Sequence, residues 1–351
     1  MRLLPYINYF IEGEMALLWA LEHDRLRRER VFRDRLNPLE VSDDLLIHYY
    51  RLPRHEILQL CEEIGPHIHR PTSRTRAIPI HTQILVALRF YASGTFQNVV
   101  GDVAGISQSS ISRILNDVTE ALLNKAKREI NMPQNLQELM LIKQDFYGLS
   151  GFPSVIGAID CTHIPIKAPA NAVVYLNRKR KYSLNVQVVA DSKMRIISFC
   201  ASFPGSVHDS YIWRQSVLRQ QFVEGQYGDS LLLGDSGYPL EPFLMTPVSQ
   251  PTTDAHRAYN RSHSRTRVVV EQTFGVLKSR FRCLHGSGGS LQYDPVKCAK
   301  IAIACMLLHN ICVSRRIQLN EPLVQEIENM ENDAYRGNEV TGQARRRGQV
   351  V

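Results

Sequence analysis

Residues 155–163 read Val-Ile-Gly-Ala-Ile-Asp-Cys-Thr-His, and residues 231–238 read Leu-Leu-Leu-Gly-Asp-Ser-Gly-Tyr. In each, a short apolar run leads to an aspartate, Asp160 or Asp235. Runs of this length predict strands buried on both faces of a sheet covered by helices, with Asp160 ending the first strand. A carboxylate at the end of a buried strand is unfavourable unless it is paired or holds a cation. On neighbouring strands the two carboxylates would meet, which makes this end of an α/β domain the place to look for chemistry.

The surrounding residues extend the pattern. Tyr182 to Ala190 alternates, with Leu184, Val186 and Val188 against Asn185 and Gln187, and Arg195 to Cys200 is rich in β-branched residues. Three closely spaced runs predict a meander. A helical stretch from His208 to Glu224 precedes the 231–233 run, and a second spans Tyr259 to about Arg282. The latter buries a stripe of Val270, Phe274, Leu277 and Phe281, with Glu271 at its edge. Arg267, Gly275, Lys278 and Arg282 share the Glu271 face. Glu271 is either a third ligand beside a phosphate backbone or half of a surface pair with Arg267. Residues 297–313 form one more apolar helix.

Three hard carboxylate ligands without a thiolate point to Mg²⁺ or Mn²⁺. Two such ions suit in-line displacement at phosphorus, with Asp160, Asp235 and Glu271 as catalytic metal ligands. Asp209, in Phe-Pro-Gly-Ser-Val-His-Asp-Ser, is a candidate fourth ligand; its neighbour His208 either supports the site or caps a helix. Thr162, His163 and Lys167 follow Asp160 closely enough to face the same cleft. Arg178, Lys179, Arg180 and Lys181 are the densest basic patch, read as a loop that grips phosphates or as a solubilising turn.

The first half has a different texture. Arg25 to Arg35 interleave with acidic residues on a helix that is either a solvated face or a nucleic-acid arm. Prolines 38, 53, 66, 71 and 79 divide residues 37–80 into short pieces. Residues 96–122 fit a helix-turn-helix: Gly105 at the turn, Ser107 as N-cap, and Ile111, Ile114, Leu115, Val118 and Leu122 on one face. The opposite face offers Gln108, Ser109, Ser112, Arg113 and Asn116 to a major groove, although an ordinary helical pair fits the same spacing. Pro133 and the 148–153 stretch predict a boundary. The expected organisation is a helical DNA-binding domain at 1–150, a catalytic domain at 151–313 and a disordered tail at 314–351.

Composition excludes several classes. At 44% hydrophobic and 22% charged residues, the chain can build a core and is neither disordered nor fibrous. The longest apolar run, Ile301 to Leu308, falls far short of the ~20 residues of a bilayer span, and Glu12 and Glu14 argue against a signal peptide. Seven cysteines without a CxxC pair predict free thiols in a reducing compartment. Cys298, Cys305 and Cys312 beside His309 admit a metal reading, but small thiols on a buried helical stripe explain them better. The net charge of +8 lies wholly in residues 151–313, with 18 basic and 10 acidic groups, which suits a polyanionic partner.

In order along the chain, Ile159-Asp160-Cys161-Thr162-His163-Ile164, Pro-Gly-Ser-Val-His208-Asp209-Ser, Leu-Gly-Asp235-Ser-Gly-Tyr, Val-Glu271-Gln-Thr-Phe-Gly, Ser279-Arg280-Phe281-Arg282-Cys283-Leu284 and Leu308-His309-Asn310 resemble the Harbinger (PIF-like) DDE transposases. The 35 residues between Asp235 and Glu271 fit that pattern, and the resemblance runs from about residue 50 to 313. It implies an RNase H-like catalytic domain of retroviral-integrase type, with Asp160, Asp235 and Glu271 as the metal-binding triad. It further implies cleavage of double-stranded DNA at terminal inverted repeats and joining of the 3′ ends to a short target site. The expected partners are a separate Myb-like (SANT) protein, for nuclear import and recruitment, and further copies of the chain. With only Trp19 and Trp213, the sequence shows no Myb-type tryptophan spacing. The expected location is the nucleus, or the cytoplasm without the Myb-like partner. Two alternatives stay open: a domesticated nuclease without transposition, and a DNA-binding regulator with structural carboxylates.

Overall fold

The computed structural model describes residues 39–68, 77–95 and 105–318. The Arg25–Arg35 block, the first helix of the expected helix-turn-helix pair and the tail from residue 319 lie outside the described residues.

Helices come first: α1 (Asp43–Tyr50), α2 (Arg54–Ile68), α3 (Ile80–Ser93), α4 (Gln108–Glu129) and α5 (Leu136–Ser150). Pro66 does not divide its segment. It sits in the last turn of α2, where little of the helical ladder depends on its missing N–H. α4 buries Ile111, Ile114, Leu115, Val118 and Leu122, the face expected from their spacing. Gly105 takes φ +61° at the turn before it. Ser107 holds the N-cap position, but its hydroxyl bonds to the side chains of Ser109 and Ser110 instead of capping the helix. α5 lies between Pro133 and Gly151 and runs into the 148–153 stretch expected to mark a boundary; Asn135 caps it by accepting from Glu138 N.

A five-stranded mixed sheet follows: β1 (Val155–Pro165), β2 (Ser183–Ala190), β3 (Ile196–Pro204), β4 (Leu231–Leu233) and β5 (Leu244–Met245), in spatial order 3-2-1-4-5. β1, β2 and β3 form the antiparallel meander, and β4 and β5 add in parallel. This mixed sheet with helices is consistent with the RNase H-like expectation. Asp160, expected to end its strand, lies in the middle of it: β1 runs on to Pro165, paired residue for residue with β2. The run beyond Asp160 alternates in burial, so the strand continues with a different texture.

Helices α6 (Asp209–Gln215) and α7 (Val217–Val223) lie between β3 and β4. The long α8 (Asp254–Arg280) and α9 (Pro295–Ser314) complete the fold. One core joins α1–α4, α8, α9 and one face of the sheet; a second, built on Trp213, Phe222, Tyr227 and Tyr238, covers the other. β1 feeds both, with Val155 and Ala158 in the first and Ile156 and Ile159 in the second, so the strand is buried on both faces as expected. Gly157 sits between them at a register shift. A Cβ there would lie 2.4 Å from Val189 Cγ1 and 3.0 Å from Leu232 Cδ2, so close strand packing requires its absence.

α9 is the one described helix long and apolar enough to cross a membrane by length and composition, and its side chains are mostly buried. It packs against α4 and β3, and a helix enclosed by neighbours needs no polar face. No packing seam follows residue 150, since α4 and α9 share a core. Residues 315 and 317, placed in the tail by the sequence, contact the rest of the fold: Arg315 pairs with Glu56 at 2.9 Å, and Arg280 donates to Ile317 O at 2.7 Å.

Candidate functional site

Strand register places the first two carboxylates. β1 and β4 run parallel with Ala158 opposite Leu233, so Asp160 and Asp235, each two residues further on, emerge side by side. Asp209 arrives from the third direction, as the first residue of α6 after β3. One carboxylate oxygen from each of Asp160, Asp209 and Asp235 lies within 4.8 Å of the others, and all three residues are half-buried. It is the single cluster of this kind among the described residues. Cys298, Cys305 and Cys312 are buried free thiols, and the His309 ring bonds to Met194 O at 2.8 Å instead.

Each aspartate is held by its surroundings. Asp160 Oδ1 accepts from Cys161 N at 2.7 Å, and Asp235 Oδ1 accepts from Gly237 N at 2.9 Å. Asn185 Nδ2 donates to Asp209 Oδ1 at 2.9 Å and to Val207 O at 2.8 Å. Beneath them the buried Tyr238 hydroxyl meets Cys161 Sγ and Gln187 Nε2, each at 3.3 Å. Burial pushes the Asp160 carboxyl up to about 7. The Cys161 amide and the Arg267 guanidinium oppose that rise, and Asp235 and Asp209 add to it.

Glu271 lies outside the aspartate cluster and is linked to it through Arg267. Arg267 Nη1 is 3.1 Å from Asp160 Oδ2, and Nη2 bonds to Glu271 one turn along α8. Of the two open readings of Glu271, the structure shows the pair with Arg267, and it does not bring Glu271 into the cluster of the three aspartates as a third ligand. The α8 stripe of Val270, Phe274, Leu277 and Phe281 is buried and anchors this edge; Lys278 follows on the same helix, and Arg282 opens the 3₁₀ turn after it.

Of the supporting residues, His163 Nδ1 lies 3.0 Å from Ser183 Oγ, and burial lowers its pKa. Thr162 is buried. His208 holds the N-cap position of α6, yet its side chain makes no cap bond. With His163, Asn185, Arg178 and Asp209 it lines a cavity of about 220 Å³. Lys167 lies past the end of β1, where its amide bonds to Leu291 O at 2.9 Å. Arg178, Lys179, Arg180 and Lys181 occupy the exposed β1–β2 connection; Asn177 Oδ1 shapes it by accepting from Lys179 N and Lys181 N, each at 3.0 Å. Gln108, Ser109, Ser112, Arg113 and Asn116 sit on α4, which packs mainly on α2, α3 and α9. Arg113 Nε donates to Ser109 O at 3.1 Å.

Sequence reading missed Asn185, Gln187 and Tyr238. The two amides looked like the solvent face of an alternating strand, but they are 1% and 3% exposed. Polar residues in a strand flanked on both sides by other strands were the available signal.

Comparison with known proteins gives the family. Residues 159–310 match the family model described as DDE superfamily endonuclease. The chain is 44% identical over 304 residues to "Putative nuclease HARBI1" of Bos taurus, covering 86% of this chain and 87% of that one. It is 43% identical to the protein of the same name from Homo sapiens, covering 85% and 88%. "Protein ALP1-like" of Arabidopsis thaliana is 30% identical, covering 72% of this chain and 66% of that one. No solved structure matches.

Proposed function

The chain belongs to the Harbinger-derived DDE superfamily endonucleases, and we propose that it is a divalent-metal-dependent endonuclease acting on double-stranded DNA. The observation that carries this reading is the convergence of Asp160, Asp209 and Asp235 from three separate elements. Their donor set fits a hard divalent cation, Mg²⁺ or Mn²⁺: carboxylate oxygens alone, close together and half-buried. Such ions, when bound, lower the pKa of water and neutralise charge on a phosphodiester.

The chain's own residues do the rest. Asp160 and Asp235, fixed by strand register, set the spacing of the centre, while Asn185 aims Asp209 by holding its Oδ1. Arg267 and Glu271 border the centre on α8, with Lys278 and Arg282 further along. The exposed Arg178–Lys181 loop extends this positive surface and would grip the DNA backbone. Gln108, Ser109, Ser112, Arg113 and Asn116 would read a groove through a helix-turn-helix, giving residues 1–150 recognition and 151–313 cleavage. Joining of 3′ ends at a target site, a Myb-like partner, assembly into dimers or larger complexes and a nuclear location complete the transposase form of this reading. The relatives named as nucleases are equally compatible with a domesticated form, which would cleave without strand transfer.

Incubation of duplex DNA with the wild type and Asp160→Asn in Mg²⁺ or Mn²⁺ tests the proposal. Metal-dependent nicking by the wild type, reduced at least 100-fold in the variant (roughly the loss of one essential group), is expected. Equal cleavage by both proteins, or none by either with the Myb-like protein added, would overturn it. Joining of a labelled 3′ end to plasmid DNA then separates the transposase from the domesticated nuclease.

A further inference from the structure

Arg267 places a positive charge inside the candidate metal centre. Its two terminal nitrogens are divided between two carboxylates, Asp160 Oδ2 at 3.1 Å and Glu271. The Arg267 and Asp160 side chains are only 19% and 18% exposed, so water screens this contact weakly. Both Asp160 oxygens are engaged, Oδ1 by the Cys161 amide and Oδ2 by Arg267. A cation that took Asp160 Oδ2 as a ligand would share it with the guanidinium or displace it, and one held through Oδ1 would still lie beside the guanidinium charge. The same contact accounts for Glu271, which the guanidinium holds while Asp160, Asp209 and Asp235 converge without it.

We propose that Arg267 competes with a divalent cation for Asp160, so that loading of the cation displaces the guanidinium from that carboxylate. The proposal rests on the reading of the three aspartates as a metal site. The guanidinium offsets the repulsion that Asp235 and Asp209 exert on Asp160. It also weakens the first metal-binding step, because part of the cation's gain is spent in breaking the Arg267–Asp160 bond. Arg267 thus acts as a positioning residue that sets how readily the centre loads.

Mn²⁺ binding, read from the loss of the free-ion paramagnetic resonance signal, tests this on the full chain at pH 8. The Arg267→Gln variant is expected to bind Mn²⁺ about tenfold more tightly than the wild type, a change comparable to removing one close charge. Arg267→Lys keeps a charge but not the fork that spans two carboxylates, so its affinity is expected between the two. Without metal, Arg267→Gln should melt below the wild type, and Mn²⁺ should raise its melting temperature by more. Equal or weaker Mn²⁺ binding by folded Arg267→Gln would overturn the proposal. If that variant does not fold, unchanged or weaker binding by Arg267→Lys overturns it. Asp235→Asn provides the control: unchanged Mn²⁺ affinity there would overturn the metal-site reading itself.

Discussion

Asp160, Asn185 and His309 show how much of this molecule depends on single buried polar groups. Asp160 was legible because its carboxylate follows an uninterrupted apolar run, an arrangement that needs a partner or a cation. Asn185 was not, because alternation alone cannot tell a solvent face from a second buried face. Asn310 stood out only through the family resemblance, and His309 through that and through its place beside three cysteines; the structure supplies their physical roles. Asn310 pairs with both backbone groups of Ile196, at 2.8 and 2.7 Å, tying α9 to the first residue of β3. His309 is fully buried, and burial lowers its pKa to about 4, against 6.5 for the free side chain. A folded-state pKa below the unfolded one means that the unfolded chain takes up the proton first. The contribution is therefore present in full above pH 6.5 and lost as the pH falls towards 4. Between pH 6.5 and 4.5 the wild type should lose about 2–3 kcal/mol more stability than His309→Gln, as measured by urea unfolding. Parallel stability curves for the two proteins would contradict this.

At the scale of elements, β1 organises the site. Its parallel pairing with β4 sets Asp160 beside Asp235, and its antiparallel pairing with β2 brings up Asn185, which holds Asp209. The strands of the meander and the helices α4 and α8 could be read from periodicity, and α9 from its continuous apolar composition. The two-residue β5 could not, because its pairing comes from β4 and not from any pattern of its own. The continuation of β1 past Asp160 was equally hidden, since its polar residues find partners only in the folded sheet. Gly157 offers a direct test of this organisation. Gly157→Ala would force its Cβ against Val189 and Leu232 and should cost about 1–3 kcal/mol in chemical unfolding. It should also weaken Mn²⁺ binding, because the strand that carries Asp160 must shift. Unaltered stability and metal affinity would show that the β1–β4 contact does not set the site.

Across the whole molecule, the recognition and cleavage roles proposed for the two halves share one framework. α9 packs on α4, and the main core runs from Leu39 to Cys312, so packing provides no hinge at residue 150. Sequence reading divided the chain by texture, helical before residue 150 and mixed after it, and texture carries no information about which elements touch. Charge divides the chain at the same place: the +8 excess falls in residues 151–313, with Arg178 to Lys181 exposed on the β1–β2 connection. If that loop meets phosphates, replacing its four basic residues with alanine should weaken DNA binding uniformly across sequences. It should also lower the slope of log affinity against log salt by about 1 for each phosphate no longer neutralised. An unchanged slope would assign the patch to solubility. The proposed chemistry turns on a divalent cation held by three aspartates from three elements. Anomalous diffraction at the manganese edge, on crystals of the full chain grown with Mn²⁺, tests that most directly. A peak in contact with Asp160, Asp209 and Asp235 is expected; density confined to other residues, or none at saturating Mn²⁺, would contradict it.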